Sequence, residues 1–209
     1  MPPTLEREST FWQAGQLRIA GVDEVGRGCL SGPVVAAAVI LPVDCLKISG
    51  IDDSKQIPFA ERERLCAAIH RQALAIGVGA ASVAEIDRVN ILQATYLAMG
   101  RALGRIQPVD HALIDGSSLK RWNPGSHTTV IDGDALCYSI ACASIVAKVV
   151  RDRFMIRLAE RFPGYKWETN FGYGTKAHLL GVEKLGITPW HRRSFAPVRA
   201  YLVEQLSII

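Results

Sequence analysis

Four carboxylates in this 209-residue chain sit where they could do chemistry together. Asp23 and Glu24 stand side by side after the apolar run Ile19–Val22, Asp115 closes the apolar run Ala112–Ile114, and Asp134 follows Gly133 just after the segment Thr128–Ile131. Acids gathered at one place repel each other unless some take up protons or cations bind between them. Magnesium or manganese, which prefer oxygen ligands, are the natural partners. Two such ions can clamp the attacking water and the leaving oxygen of a phosphodiester, so no nucleophilic side chain is required. The chain has no GxSxG pattern and no phosphate-binding GxxxxGK[ST] loop. A plainer reading stands beside this one. Asp115-Gly116 and Gly133-Asp134 are ordinary turn dipeptides, and Asp134 could cap a helix. Two adjacent acids at the end of an apolar strand are harder to dismiss, because burying them without a partner is costly.

The elements that must position these acids can be read from periodicity. Strands are expected over residues 18–23, 34–41, 76–81, 112–115 and 128–131, each acid falling where a strand stops. The second run is apolar on both faces, as in a sheet covered on both sides. A short glycine-rich segment joins it to the first, which predicts an antiparallel pair. Helices are expected over 59–75, from the Ser82/Glu85 capping box to about Leu103, over 138–161, and near 176–185 and 197–205. The sum is an α/β fold, a mixed five-stranded sheet flanked by helices, with residues 1–163 as the core and 164–209 as a small C-terminal helical lobe. Successive strand residues face opposite ways, so Asp23 and Glu24 are expected to share a site through a bend at Glu24.

Bulk composition sets wide limits. Hydrophobic residues make up 49% and charged residues 21%, an ordinary globular profile. A net charge of +4 suits a polyanionic partner without requiring one. Five cysteines without a CxxC pair read as buried small residues in a reducing compartment rather than zinc ligands or disulfides. The charged N-terminus does not read as a secretory signal, and the longest apolar run is too short to span a bilayer. No membrane association and a cytoplasmic location are expected.

Several segments resemble the ribonuclease HII family. Gly21-Val22-Asp23-Glu24-Val25-Gly26-Arg27-Gly28 with Ser31-Gly32-Pro33-Val34-Val35 is similar to its first motif. Asp53-Ser54-Lys55, Leu113-Ile114-Asp115-Gly116, Gly133-Asp134, Ala143-Ser144-Ile145-Val146-Ala147-Lys148, Gly172-Tyr173-Gly174-Thr175 and His191-Arg192-Arg193-Ser194-Phe195 follow in the family's order. The resemblance spans residues 19–198 and implies an RNase H-like fold. It also implies cleavage of the RNA strand of RNA/DNA hybrids and cutting 5′ of ribonucleotides in duplex DNA, leaving 5′-phosphate and 3′-hydroxyl ends. The family's four acidic metal ligands fall on Asp23, Glu24, Asp115 and Asp134. Asp132 is a rival for the fourth, with spacing to the following helix favouring Asp134. Monomeric protein is the family expectation, and a replication clamp is left open as a further partner.

The resemblance also assigns substrate contacts. Gly26, Arg27 and Gly28 fall on the family's 2′-hydroxyl-reading segment, and glycine there lets the backbone approach a sugar closely. Arg27 could fix a phosphate or brace the loop. Tyr173, between two glycines, falls on the family's junction-sensing tyrosine. Lys148 and Arg151 share a helix face and could meet phosphates, although a solvated surface pairing is the commoner fate of such an arginine. Lys55 is a further phosphate contact. Lys176, Lys184, Arg192 and Arg193 would make the lobe a basic duplex-binding surface. The five histidines lack ligand spacing and read as structural or surface residues.

Overall fold

The computed structural model of the chain describes residues 2–51, 57–120 and 122–207. Five strands, β1 (Ile19–Val25), β2 (Val34–Ile40), β3 (Ala75–Ala81), β4 (His111–Asp115) and β5 (His127–Val130), form one sheet in the order β3-β2-β1-β4-β5. β1 and β2 are antiparallel, whereas β4 runs parallel to β1 and to β5. The sheet is therefore mixed, with its first hairpin as expected. The helices are α1 (Glu6–Gln13), α2 (Phe59–Gln72), α3 (Val83–Gly104), α4 (Gly133–Leu136), α5 (Tyr138–Arg161), α6 (Trp167–Asn170), α7 (Lys176–Leu185) and α8 (Ala196–Ser207). Among the described residues no helix is long and apolar enough to cross a membrane.

The chain divides into two compact units. The first comprises Met1–Val25, Val35–Ala80 and Tyr96–Val149, and it contains the sheet. Its centre is β2, whose seven residues are all buried, with six of them 0% exposed. Each fully buried Val or Ile here stabilises the fold by roughly 1.5–3 kcal/mol relative to exposure. The first turn of α5 lies directly on β1. A Cβ on Gly21 would stand 2.1 Å from the Ser139 carbonyl carbon, so only glycine permits this approach. The start of α5 is also held from α1, where the buried Glu8 carboxylate accepts the Ser139 N–H at 2.8 Å. An acid at a helix N-terminus meets its unpaired amides and the positive end of its dipole.

The second unit comprises Gly26–Val34, Ala81–Thr95 and Val150–Ile209. Its core is aromatic: Trp167 is fully buried among Met155, Leu158, Tyr165 and Val182. His178 and His191 are buried beside it, their Nε2 atoms 3.1 Å apart. The His178 Nδ1–H donates to the Tyr173 carbonyl, and His191 Nδ1 accepts the Thr188 N–H at 2.9 Å. These partners fix both tautomers, so that His191 Nε2–H faces His178 Nε2.

Two elements depart from expectation. β1 runs past Asp23 to Val25, because its pairing with β2 carries on through Asp23↔Ala37, Glu24↔Ala36 and Val25↔Val35. Helix α3 is broken at Asn90 (φ 69°, ψ 166°), whose Oδ1 accepts the N–H groups of Leu92 and Gln93 and so starts a second helical segment. All five cysteines are free thiols; Cys29, Cys66, Cys137 and Cys142 are buried and Cys45 is half-buried.

Candidate active site

Parallel pairing of β1 with β4 brings the first acids together. The ladder sets Gly21 beside Leu113 and Val22 beside Ile114, so Asp23 and Asp115 come next on their strands. Asp23, Glu24 and Asp115 each offer a carboxylate oxygen, and these oxygens lie within 4.8 Å of one another. No bend at Glu24 is needed, since the β1–β2 register passes through it unbroken. The ladder with β4 ends at Val22↔Ile114, which leaves the strand beyond with that flank open to side chains. The Asp23 carboxylate folds along its own strand and accepts the Glu24 N–H at 2.7 Å.

Asp115 is oriented from the opposite direction. Its Oδ1 accepts the Gly133 N–H at 2.7 Å, and a Cβ on Gly133 would stand 3.2 Å from that same oxygen. The turn into α4 thus orders Asp115 and carries Asp134 in the helix's first turn. Asp134 is not in the 4.8 Å group, but its charge acts on Asp23. Asp132, the rival, is exposed and left-handed at φ 52°.

Asp23 is the buried member, at 5% exposure. Burial first, then the charges of Glu24 and Asp115, hold its carboxyl well above the usual carboxylate range. A hydrogen bond with Ser144 on α5 works against that rise, and Asp134 adds to it. An all-oxygen set whose innermost acid resists ionisation fits a hard divalent cation, which would relieve the repulsion. Ser144 has no role assigned by the family resemblance; its signal in the sequence is a lone hydroxyl in the apolar run 140–147. Lys148 is half-buried one turn beyond Ser144 on the same helix. Lys55 lies outside the described residues.

The remaining expected contacts belong to the second unit. Gly26 is buried at φ +94°, and Arg27 and Gly28 are exposed. A Cβ on Gly26 would stand 2.1 Å from Arg151 Nε. Tyr173 is 42% exposed, with burial and the Cys29 thiol raising its phenol. The strip before it docks on the loop after Gly28: the Gly172 carbonyl accepts the Leu30 N–H at 2.8 Å. Lys176, Lys184 and Arg193 are exposed, as a basic surface requires.

Arg151 and Arg192 correct the sequence reading. Expected among the surface cations, both are 0% exposed. Arg151 donates to the carbonyls of Ser31, Pro33 and Phe171, and Arg192 to those of Gly26, Arg27 and Gly32. They brace the loop after β1 instead of meeting solvent.

Comparison with known proteins follows the same lines. The profile of the family described as Ribonuclease HII matches residues 20–198. A Ribonuclease HII of Thermosynechococcus vestitus is 62% identical over 194 residues, covering 93% of this chain and 91% of the relative. The crystal structure of ribonuclease H2 from Pyrococcus horikoshii superposes with a TM-score of 0.76 at 21% identity, covering 90% of this chain and 98% of that one. Bst-RNase HIII in complex with Mn2+ superposes with a TM-score of 0.67 at 19% identity, covering 92% of this chain and 71% of that one. At these identities the structural likenesses speak for the fold alone.

Proposed function

The chain belongs to the ribonuclease HII family and is a hydrolytic endonuclease of the ribonuclease H type, and we propose that its substrates are RNA/DNA hybrids and duplex DNA with embedded ribonucleotides. Cleavage falls 5′ of the ribonucleotide and leaves 5′-phosphate and 3′-hydroxyl ends. Asp23, Glu24, Asp115 and Asp134 are the catalytic acids and hold two divalent ions, Mn2+ or Mg2+. The observation that carries this reading is the convergence of three carboxylate oxygens within 4.8 Å, one of them on a buried acid.

Bound divalent ions would supply Lewis acidity toward the phosphate and a water of lowered pKa. The chain's own residues do the rest. Ser144 and the Glu24 N–H orient Asp23, and the Gly133 N–H orients Asp115. Gly26, Arg27 and Gly28 meet the 2′-hydroxyl, and Tyr173 stacks on the neighbouring sugar or base. Lys55 and Lys148 contact phosphates and set no sequence preference.

The test is direct. With Mn2+ or Mg2+, purified protein should nick a DNA duplex carrying one ribonucleotide and leave the all-DNA duplex intact. Asp23→Asn should lose cleavage by about a thousandfold or more while still binding the duplex. Full activity in that variant, or equal cutting of both duplexes, would refute the reading.

A further inference from the structure

We propose that Arg192 is a positioning residue for 2′-hydroxyl recognition, setting the direction of the Gly26–Gly28 peptides from behind. The proposal rests on the role given above to that loop.

Arg192 is fully buried, so it cannot be one of the lobe's phosphate contacts. Its guanidinium reaches three carbonyls of a single loop: Nη2 donates to Gly26 at 2.6 Å, Nη1 to Arg27 at 2.9 Å and Nε to Gly32 at 3.0 Å. Its own N–H donates to the Leu30 carbonyl at 2.8 Å, and the Phe195 ring lies 5.0 Å from its guanidinium carbon. One planar group with donors in a fixed fork can hold three carbonyls in a fixed relation. A lysine, with all its donors on one atom, cannot span them.

The consequence lies on the other side of those peptides. In a trans peptide the C=O and N–H point in opposite directions. Holding the carbonyls of Gly26 and Arg27 inward fixes where the N–H groups of Arg27 and Gly28 point. Arg27 and Gly28 are the exposed residues of the segment, and the Cβ position of Gly28 has open space around it. Arg151 braces the same loop further along, donating to the carbonyls of Ser31 and Pro33, which lie outside the Gly26–Gly28 peptides. Arg192 alone of this pair grips the carbonyls of Gly26 and Arg27. It positions the recognising groups without touching the sugar.

Binding without divalent ions tests this apart from catalysis. Fluorescence anisotropy would compare a DNA duplex carrying one ribonucleotide with the same duplex of DNA only. Wild-type protein should prefer the first. Arg192→Lys and Arg192→Met should lower that preference about tenfold, the scale of a lost charge-assisted hydrogen bond, with affinity for the DNA duplex held within about twofold. Wild-type preference retained in both variants would overturn the proposal. So would an equal weakening of both duplexes, or failure of both variants to fold, either of which makes Arg192 a general structural residue. Absence of any preference in the wild type would instead remove the loop's assigned role, a distinguishable failure.

Discussion

Asp23 has its ionisation opposed by burial and by its acidic neighbours, with Ser144 working the other way. Burial and two neighbouring carboxylates raise its pKa, so in the metal-free protein ionising it favours the unfolded chain. The sign follows: this residue's contribution is fully present below the pKa of a free aspartate and is lost as pH rises through its higher folded value. Asp23→Asn should therefore make the metal-free protein more stable at pH 8, by about 1 kcal/mol for each pKa unit of rise, and change little near pH 4. Urea unfolding in a chelator at both pH values would check this, and a less stable variant at pH 8 would contradict it. Asp23, Glu24 and Asp115 were legible in the sequence because they close apolar runs that read as strands, whereas Asp134 rested on the family resemblance. Arg192 was not legible. Nothing in His191-Arg192-Arg193 distinguishes the buried arginine from the exposed one beside it, since its partners are carbonyls some 160 residues away. Backbone acceptors leave no complementary charge in the sequence to find.

Elements were legible where a local bond defines them. The Ser82/Glu85 box closes as expected, with the Ser82 N–H donating to Glu85 at 2.8 Å and the Glu85 N–H to the Ser82 hydroxyl. Helix α5 spans the expected residues Tyr138–Arg161 and stops just before Pro163-Gly164, a pair that cannot continue it. The break in α3 was missed because the apolar spacing continues across Asn90, although asparagine with glutamine three residues later is itself a helix-start signal. The docking of α5 on β1 is a tertiary fact that only Gly21 hints at. It yields a sharp expectation: Gly21→Ala, with its new Cβ against the Ser139 backbone, should cost about 1–3 kcal/mol. Because α5 also brings Ser144 to Asp23, the variant should lose cleavage beyond what its unfolded fraction explains. Thermal melting together with steady-state rates would separate the two effects; unchanged melting would mean that the helix yields freely.

At the scale of the whole molecule, the second unit holds a pair of histidines that must stay neutral. Burial, and for His191 the nearby His178, lower both, His191 to about 4. A folded pKa below the unfolded one means that the pair's contribution is complete above about 6.5 and declines as pH falls toward 4. The urea midpoint should drop across that window, and His191→Gln should flatten the drop; an unchanged slope would exclude the pair as its source. Because His191 Nδ1 accepts the Thr188 N–H, a proton added there displaces that bond, and acid should loosen the Thr188–His191 turn first. The free thiols have a practical corollary. Four are buried and only Cys45 reaches solvent, and burial drives the Cys137 thiol up to about 12. A maleimide dye has one obvious address on the folded chain, which makes this a protein that can be tagged at a single point without first removing its other cysteines.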